Sequence, residues 1–290
     1  MAPIRLWPAT ARIRITHWWR HGRLPDLASP QSFNELVQHR KLHDRDPRLP
    51  ALADKQAVKA FVAAQLGPSW LTPTLWSGRR LPVDPPWPLP FVVKSRHGCR
   101  HIAFVRSADD WPAARRRAHR WLRRSYGWWL DEWLYAQLPR GIIVEPFIGP
   151  GPVLPLDYKV FVFGGRAEFV QVHLDREGRY RWLVFDRDWQ RQSAPTADRD
   201  PPRPVALEAM LRAAETLGRG FVFVRVDLYE VDGVPRFGEM TFYPGSGLER
   251  FDPVALDEQM GMKWRAAVAA ASQPMGRDGQ STVTALGIAA

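Results

Sequence analysis

The sequence predicts an α+β fold, and two observations carry that prediction. Strand-like runs come in close succession: Leu89–Lys94 then His101–Val105, Asp157–Phe163 then Arg166–Leu174, and Phe221–Val231 then Pro235–Phe242. Connections this short suit antiparallel neighbours. Helix signals fall between those groups, at Phe33–Asp44, Lys55–Leu66, from Asp109 onward, and at Val205–Leu217. A chain of 290 residues with 45% apolar and 24% charged side chains can bury a sizeable core.

Each element has a local reason. Residues 1–25 hold Arg5, Arg12, Arg14, Arg20 and Arg23 with no acid, interleaved with Trp7, Trp18 and Trp19. Such a segment either lies on an anionic membrane or glycan, or forms an arm whose Trp rings pack on the body while the Arg side chains face water. A Ser29-Pro30 turn leads into the short helix Phe33–Asp44. Asp54 can cap Lys55–Leu66, where Ala57, Phe61 and Ala64 or Gln65 trace one face and Gly67-Pro68 ends the helix. Residues 68–90 are rich in Pro and Gly and read as an ordered connection. Asp109 and Pro112 open a basic helix bearing Arg115, Arg116, Arg117, Arg120, Arg123 and Arg124 on one side. Trp111, Ala114, Ala118, Trp121 and Leu122 supply its apolar stripe. Gly141–Ile148 is a further strand. Asp186–Pro204, polar and Pro-rich, reads as a mobile loop or lid. Gly218 ends the helix Val205–Leu217, and residues past Ser272 read as a flexible tail.

Lys+Arg 41 against Asp+Glu 30 leaves a net charge of +11, a field that favours anionic partners without choosing among them. The single cysteine, Cys99, excludes an internal disulfide framework. No apolar run approaches the roughly 18 residues that span a bilayer, and the first residues lack a continuous signal-peptide core. The expectation is a cytoplasmic protein that reaches the inner membrane at most peripherally, through residues 1–25. No repeat, helix-turn-helix or zinc-ligand spacing is present, so nucleic acid is not the expected partner.

The last strand pair carries the chemistry. Side chains alternate along a strand, so Arg225 and Asp227 project together, as do Glu239 and Thr241. Charges on otherwise apolar strands are costly unless they face one another or a ligand. An odd loop, Asp232-Gly233-Val234, sets Asp227 opposite Glu239. Two carboxylates beside an Arg form either a hard oxygen site for Mg²⁺ bearing a polyphosphate or a buried network holding the sheet. Tyr243-Pro244-Gly245-Ser246-Gly247 follows, a turn whose backbone N–H groups can approach an oxyanion. Upstream, Lys94 ends a strand before the loop Ser95–Arg100, Lys59 lies on the helix after Asp54, Glu145 closes a strand, and Asp157 and Lys159 share a strand face.

That order of residues resembles the ATP-grasp superfamily, with the D-alanine–D-alanine ligases as the direct comparison. Asp54-Lys55-Gln56-Ala57-Val58-Lys59 fits the DKxxxK segment of that group. From about His21 to Gly261 the chain is more closely similar to the TupA-like ATP-grasp group of polysaccharide-biosynthesis proteins. The motifs are Pro30-x-Ser32-Phe33-Asn34-Glu35, Asp44-Arg45-Asp46-Pro47, Leu52-Ala53-Asp54-Lys55 and Asp157-Tyr158-Lys159-x-Phe161, then Val224–Tyr229 and Phe237-Gly238-Glu239-x-Thr241-Phe242. The loop after Lys94 departs from the group's His-Gly-Ser-Gly form, with Arg100 in place of the second glycine, and Thr241 stands where Asn is usual.

The resemblance implies an ATP-grasp fold: two lobes with antiparallel sheets clasping ATP, behind a short N-terminal region. Residues 1–50 would be a basic arm and short helical region, 51–148 the small lobe with the phosphate loop, 149–271 the large lobe, and 272–290 the tail. It implies that Lys59, Lys94, His97, Gly98, Glu145, Asp157 and Lys159 contact the nucleotide, with Glu145 at the adenine and Asp157 at the ribose. Asp227, Glu239 and Thr241 would hold Mg²⁺, with Arg225 beside the transferred phosphoryl and Gly245 in the oxyanion turn. The implied reaction joins a carboxylate-bearing anionic glycan, or its uronic acid precursor, to an amine donor. A kinase acting on a sugar hydroxyl, and a non-catalytic binder of glycan or nucleic acid using Arg115–Arg124, are the alternatives.

Overall fold

The computed structural model describes residues 7–123, 126–127, 129–149, 153–174, 181–196 and 199–273. Two antiparallel sheets organise them. The smaller has four strands in the order β1 (Trp76–Gly78), β4 (Ile142–Pro146), β2 (Phe91–Ser95), β3 (Ile102–Val105). The larger has five, in the order β7 (Arg181–Asp186), β6 (Arg166–Leu174), β5 (Asp157–Phe163), β8 (Phe223–Val231), β9 (Val234–Thr241).

Each sheet has its own apolar core. In the small lobe, helix α5 (Trp111–Trp121) buries Trp111, Ala114, Ala118 and Trp121, the side chains that recur on one face of a helix. They pack with Phe91, Val93, Ala103, Val105, Ile142 and Val144. In the large lobe, α7 (Leu207–Gly218) covers one face of the sheet, and Gly218 lies so close that a Cβ there would meet Val162 Cγ1 at 2.6 Å. The opposite face packs on α2 (Phe33–His43) and α8 (Ala255–Ser272). Phe33, fully buried, is the hub: its ring lies 5.6 Å from Phe161, 5.2 Å from Phe223 and 5.6 Å from Trp264. The Ser32–Glu35 capping box fixes the start of α2 and hence the position of that ring.

Two hydrophobic clusters follow the two sheets. Leu49 and Leu52 around α3 (Leu49–Ala53), Val58 and Val62 of α4 (Val58–Leu66), and Leu134 and Tyr135 of α6 (Trp133–Ala136) all join the large-lobe core. The small lobe proper holds the residues from about Leu75 to Leu122, with β4. Asp54 caps as expected, its Oδ1 accepting from Gln56 N at 2.8 Å and Ala57 N at 3.3 Å, but α4 starts only at Val58 because Lys55–Ala57 form a separate turn.

Three further expectations are corrected. Residues 7–25 hold a helix, α1 (Ala9–His21), on which Trp18 and Trp19 face solvent instead of packing on the body. The described part of Asp186–Pro204 is pinned to the edge of the large sheet: Trp189 stacks on Phe185 at 4.4 Å, and Arg191 pairs with Asp200 at 2.6 Å. Charge-bearing turns are held there by their own hydrogen bonds, so the polar composition does not make a lid. Third, the β8–β9 turn is the two-residue Asp232-Gly233, with φ of 53° and 74°, because Val231 pairs with Val234. Asp227 nevertheless faces Glu239, since a bulge at Gly238 supplies the extra residue. Arg124, residues 1–6 and the tail from 274 lie outside the described residues.

Gly238 is the residue that sets this register. A Cβ there would lie 2.9 Å from Asp227 O and 3.0 Å from Tyr229 Cε2. Gly238→Val should cost about 1–3 kcal/mol through overpacking, read as a lower urea midpoint with an unchanged slope. Wild-type stability in the variant would show that the bulge tolerates a side chain.

Candidate active site

The inner face of the large sheet changes character along its length. Phe161, Phe163 and Phe223 occupy the end that meets Phe33. Along the same strands the register places Lys159 beside Asp227 and Asp227 beside Glu239, with Arg225 beside Thr241 one step away. These side chains open into a cleft of about 830 Å³ whose other wall comes from β2, β4 and the 95–101 loop.

The charges are interlocked. Arg225 grips Asp227 bidentately, Nε to Oδ1 at 2.7 Å and Nη2 to Oδ2 at 2.8 Å, and Nη2 also donates to Thr241 Oγ1 at 3.2 Å. Lys159 Nζ donates to Asp227 Oδ2 at 2.5 Å and pairs with Asp157 Oδ2 at 2.8 Å. Burial pushes the Asp227 carboxyl upward, against the pull of Arg225 and Lys159. Glu239 is different. Burial opposes its ionisation, but Lys55, Lys159 and Arg225 together draw it down to about 2. Lys55 Nζ stands 3.3 Å from Glu239 Oε2 and donates to Gly98 O at 3.1 Å, tying the 95–101 loop to the hairpin.

On the facing wall, Glu145 collects two lysines: Lys59 Nζ at 2.5 Å and Lys94 Nζ at 2.7 Å. Burial raises the Glu145 carboxyl, but Lys94 and Lys59 outweigh it and hold the group below its ordinary range. Lys59 also donates to Thr72 O at 2.7 Å and Thr74 Oγ1 at 2.8 Å, which uses all three of its N–H bonds. Lys94 gives Glu145 one of its three. The 95–101 loop is braced by a bidentate pair, Arg96 to Asp54 at 3.0 and 2.7 Å. Arg100 takes φ of 57°, the left-handed conformation a glycine would adopt, so the loop keeps its path while an arginine replaces the expected glycine.

The Gly turn closes the far end. Gly245, Ser246 and Gly247 all have positive φ, at 52°, 59° and 66°. Gln38 Nε2 and Lys41 Nζ donate to Ser246 O at 2.9 and 2.7 Å, and Lys41 also reaches Ser246 Oγ at 2.6 Å. Cβ atoms at Gly245 and Gly247 would fall 2.0 Å from Glu249 Cγ and 2.8 Å from Asn34 O, so neither tolerates a side chain. The Ser246 N–H is already spent on Tyr243 O at 2.9 Å.

Eleven of the twelve residues singled out from the sequence line this cleft: Lys59, Lys94, Gly98, Glu145, Asp157, Lys159, Arg225, Asp227, Glu239, Thr241 and Gly245. His97 does not. It is 2% exposed and its Nε2 sits 3.2 Å from Trp121 O, inside the small lobe. Burial lowers its pKa, as expected of a neutral ring packed on apolar neighbours. Sequence reasoning passed over Lys55, visible only as half of the Asp54-Lys55 pair. It also passed over Glu132, 4% exposed at the cleft's far end, where burial lifts the carboxyl to about 7 against the pull of Lys41 and Ser246. No periodicity marks Glu132.

Comparison with known proteins follows the same lines. The family model for TupA-like ATPgrasp matches residues 35–265. No curated protein matches the chain. Among solved structures, a D-alanine–D-alanine ligase from Bacillus anthracis is similar at 14% identity over 76% of this chain and 67% of that one, TM-score 0.46. D-cycloserine synthetase DcsG follows at 22% identity, 78% and 72% coverage and TM-score 0.44. The ATP-grasp ligase PsnB, solved with a minimal precursor, Mg and ADP, shows 15% identity, 81% and 65% coverage and TM-score 0.43. The chain spans about two thirds of the length of the first and third of these.

Two outcomes follow from the geometry. Relieving the left-handed strain by Arg100→Gly should raise stability by about 1 kcal/mol, measured by urea denaturation; an equal or lower midpoint would mean that Arg100 makes compensating contacts. The depressed Glu239 carboxyl contributes stability that is complete above its ordinary value of 4.5 and fades as pH falls toward about 2. Wild type should therefore lose more stability than Glu239→Gln between about pH 5 and 3, and parallel losses would refute the ion cluster around Glu239.

Proposed function

Because the chain belongs to the TupA-like ATPgrasp family, we propose that it is an ATP-dependent carboxylate–amine ligase working through an acyl phosphate. The observation that carries this reading is the facing pair Asp227 and Glu239 with Arg225 and Lys159 at their side, across a cleft from Lys94. Charged side chains held in place by one another dominate the cleft, which suits phosphoryl transfer, a reaction governed by positioning and charge neutralisation.

The donor set fits Mg²⁺. Two carboxylates and a hydroxyl are hard oxygen ligands, and Mg²⁺ commonly takes one or two carboxylates plus substrate phosphate oxygens. Substrate phosphate oxygens would supply the remaining ligands. When bound, Mg²⁺ neutralises charge on the terminal phosphates. Asp227 and Glu239 would hold it, with Thr241 at the margin. Lys94, with Gly98 in the adjoining loop, receives phosphate oxygens, and Lys59 acts mainly by orienting Glu145. Asp157 and Glu145 serve the nucleoside. Arg225 sits where charge develops on the transferred phosphoryl.

A carboxylate oxygen of the acceptor attacks the γ-phosphorus and ADP leaves. An amine then attacks the acyl carbon and expels inorganic phosphate, leaving an amide. In this reading the Gly245–Gly247 turn would face the carbonyl oxygen as negative charge develops on it. The acceptor is an anionic cell-surface glycan or its uronic acid precursor, and the donor an amino acid or peptide. A net charge of +11 supports that pairing.

ATP with Mg²⁺ should raise the melting temperature, and Asp227→Asn or Glu239→Gln should remove the metal-dependent part while the folded spectrum persists. An unchanged shift in both variants would dismiss the metal site. With an acceptor panel of uronic acids, turnover should release ADP and phosphate, and hydroxylamine should trap a hydroxamate. Stoichiometric AMP would overturn the mechanism, and a stable phosphorylated hydroxyl would make the protein a kinase.

A further inference from the structure

Helix α1 is moored on one side and bare on the other. Ile13 and His17, one turn apart, are buried at 1% and 0% exposure. Arg12 Nε donates to Asp131 Oδ2 at 3.1 Å, Arg20 Nε to Leu248 O at 2.9 Å, and Arg250 Nε returns a bond to Arg20 O at 2.7 Å. The outward strip is Arg14, Ile15, Trp18 and Trp19, spaced so that all four share one helix face. Trp18 and Trp19 are 57% and 77% exposed, Ile15 is 43% exposed, and Leu24 just beyond the helix is 61% exposed. Residues 7–25 contain no Asp or Glu.

We propose that this strip docks the protein on a bilayer rich in anionic lipid headgroups. Tryptophan rings are the side chains best suited to headgroup depth, and arginines alongside them gain from the negative surface potential. Charge selects this occupant over a second copy of the chain. Two copies meeting on the strip would bring together arginine-bearing faces of bodies that each carry +11, with no acid among residues 7–25 of either to pair with them.

The moorings give the docked protein an orientation. Asp131, which holds Arg12, lies between Leu130 and Glu132, and Leu248, which holds Arg20, precedes Glu249. Leu130, Glu132 and Glu249 all line the cleft. Trp129, 42% exposed, lies two residues before Asp131. Docking through α1 therefore ties the cleft wall around Leu130, Glu132 and Glu249 to the docked helix. The docking itself is independent of the ligase reading and is tested without turnover.

The experiment is sedimentation of the full chain with vesicles of phosphatidylglycerol and phosphatidylethanolamine, against vesicles of phosphatidylcholine. Binding is expected to the anionic vesicles only and to weaken as salt rises. Trp18→Ser with Trp19→Ser should lower the bound fraction at least about tenfold, and Arg14→Glu at least about fivefold. Thermal melts of both variants should match wild type, because the altered side chains are exposed. Equal binding to both vesicle types, or full binding by the double Trp variant, would overturn the proposal. So would a concentration-dependent rise in mass that the Trp substitutions abolish without any vesicle binding, which would assign the strip to self-association.

Discussion

Asp227 is a carboxylate at 1% exposure in the middle of a β-sheet, and the charged half of the molecule is arranged around keeping it there. An isolated ionised carboxylate in such a place would be prohibitively expensive. Arg225 meets it with two parallel hydrogen bonds and Lys159 with a third. Those cations are themselves buried, at 6% and 7% exposure, and lean on Thr241 and Asp157 in turn. The network contributes little net stability by itself, since desolvation offsets most of the attraction. Its effect is to fix, before any ligand arrives, a set of charges that water would otherwise screen and reorient.

The same sheet face carries both that network and the aromatic core. Phe161, Phe163 and Phe223 pack on Phe33 a few residues along the strands from Lys159 and Arg225. Rigid aromatic packing at one end holds the strands in register, and the register aligns the charged row at the other. Helix α2 serves both ends, with Phe33 at its start and Gln38 and Lys41 propping the Gly245–Gly247 turn. The second cation cluster spans the two cores: Glu145 and Lys94 stand on the small sheet, and Lys59 on α4, which packs into the large-lobe core.

Much of this was legible in the sequence because alternation is rigid. Asp157–Phe163 and Arg166–Leu174 have the predicted bounds, and the Arg225/Asp227 and Glu239/Thr241 pairs share faces as period two requires. What failed was information carried by tertiary context. The opposition of Asp227 and Glu239 was anticipated through a three-residue loop, whereas the chain reaches it through a bulge that only the partner strand reveals. β7, α8 and α1 have no clear signal in the sequence, because short or weakly periodic segments take their structure from what they pack on. His97 was placed in the cleft by its neighbours in sequence, but its side chain turns into the small lobe. Glu132 and Lys41 lie 91 residues apart in numbering, and their coupling has no sequence signature.

The bulge at Gly238 has a bearing on how this hairpin can vary in length. Slipping the pairing of the two strands by one residue would swing every side chain beyond the slip to the other face. Here one odd residue already sits at Gly238, beside the acids and away from the tip. The register of the reactive pair is thus stored locally, within two residues of the groups it aligns. Residues added at the tip can stay in the loop and leave that pair aligned, whereas straightening the bulge without removing a residue would set Gly238 opposite Asp227 and turn Glu239 to the other face.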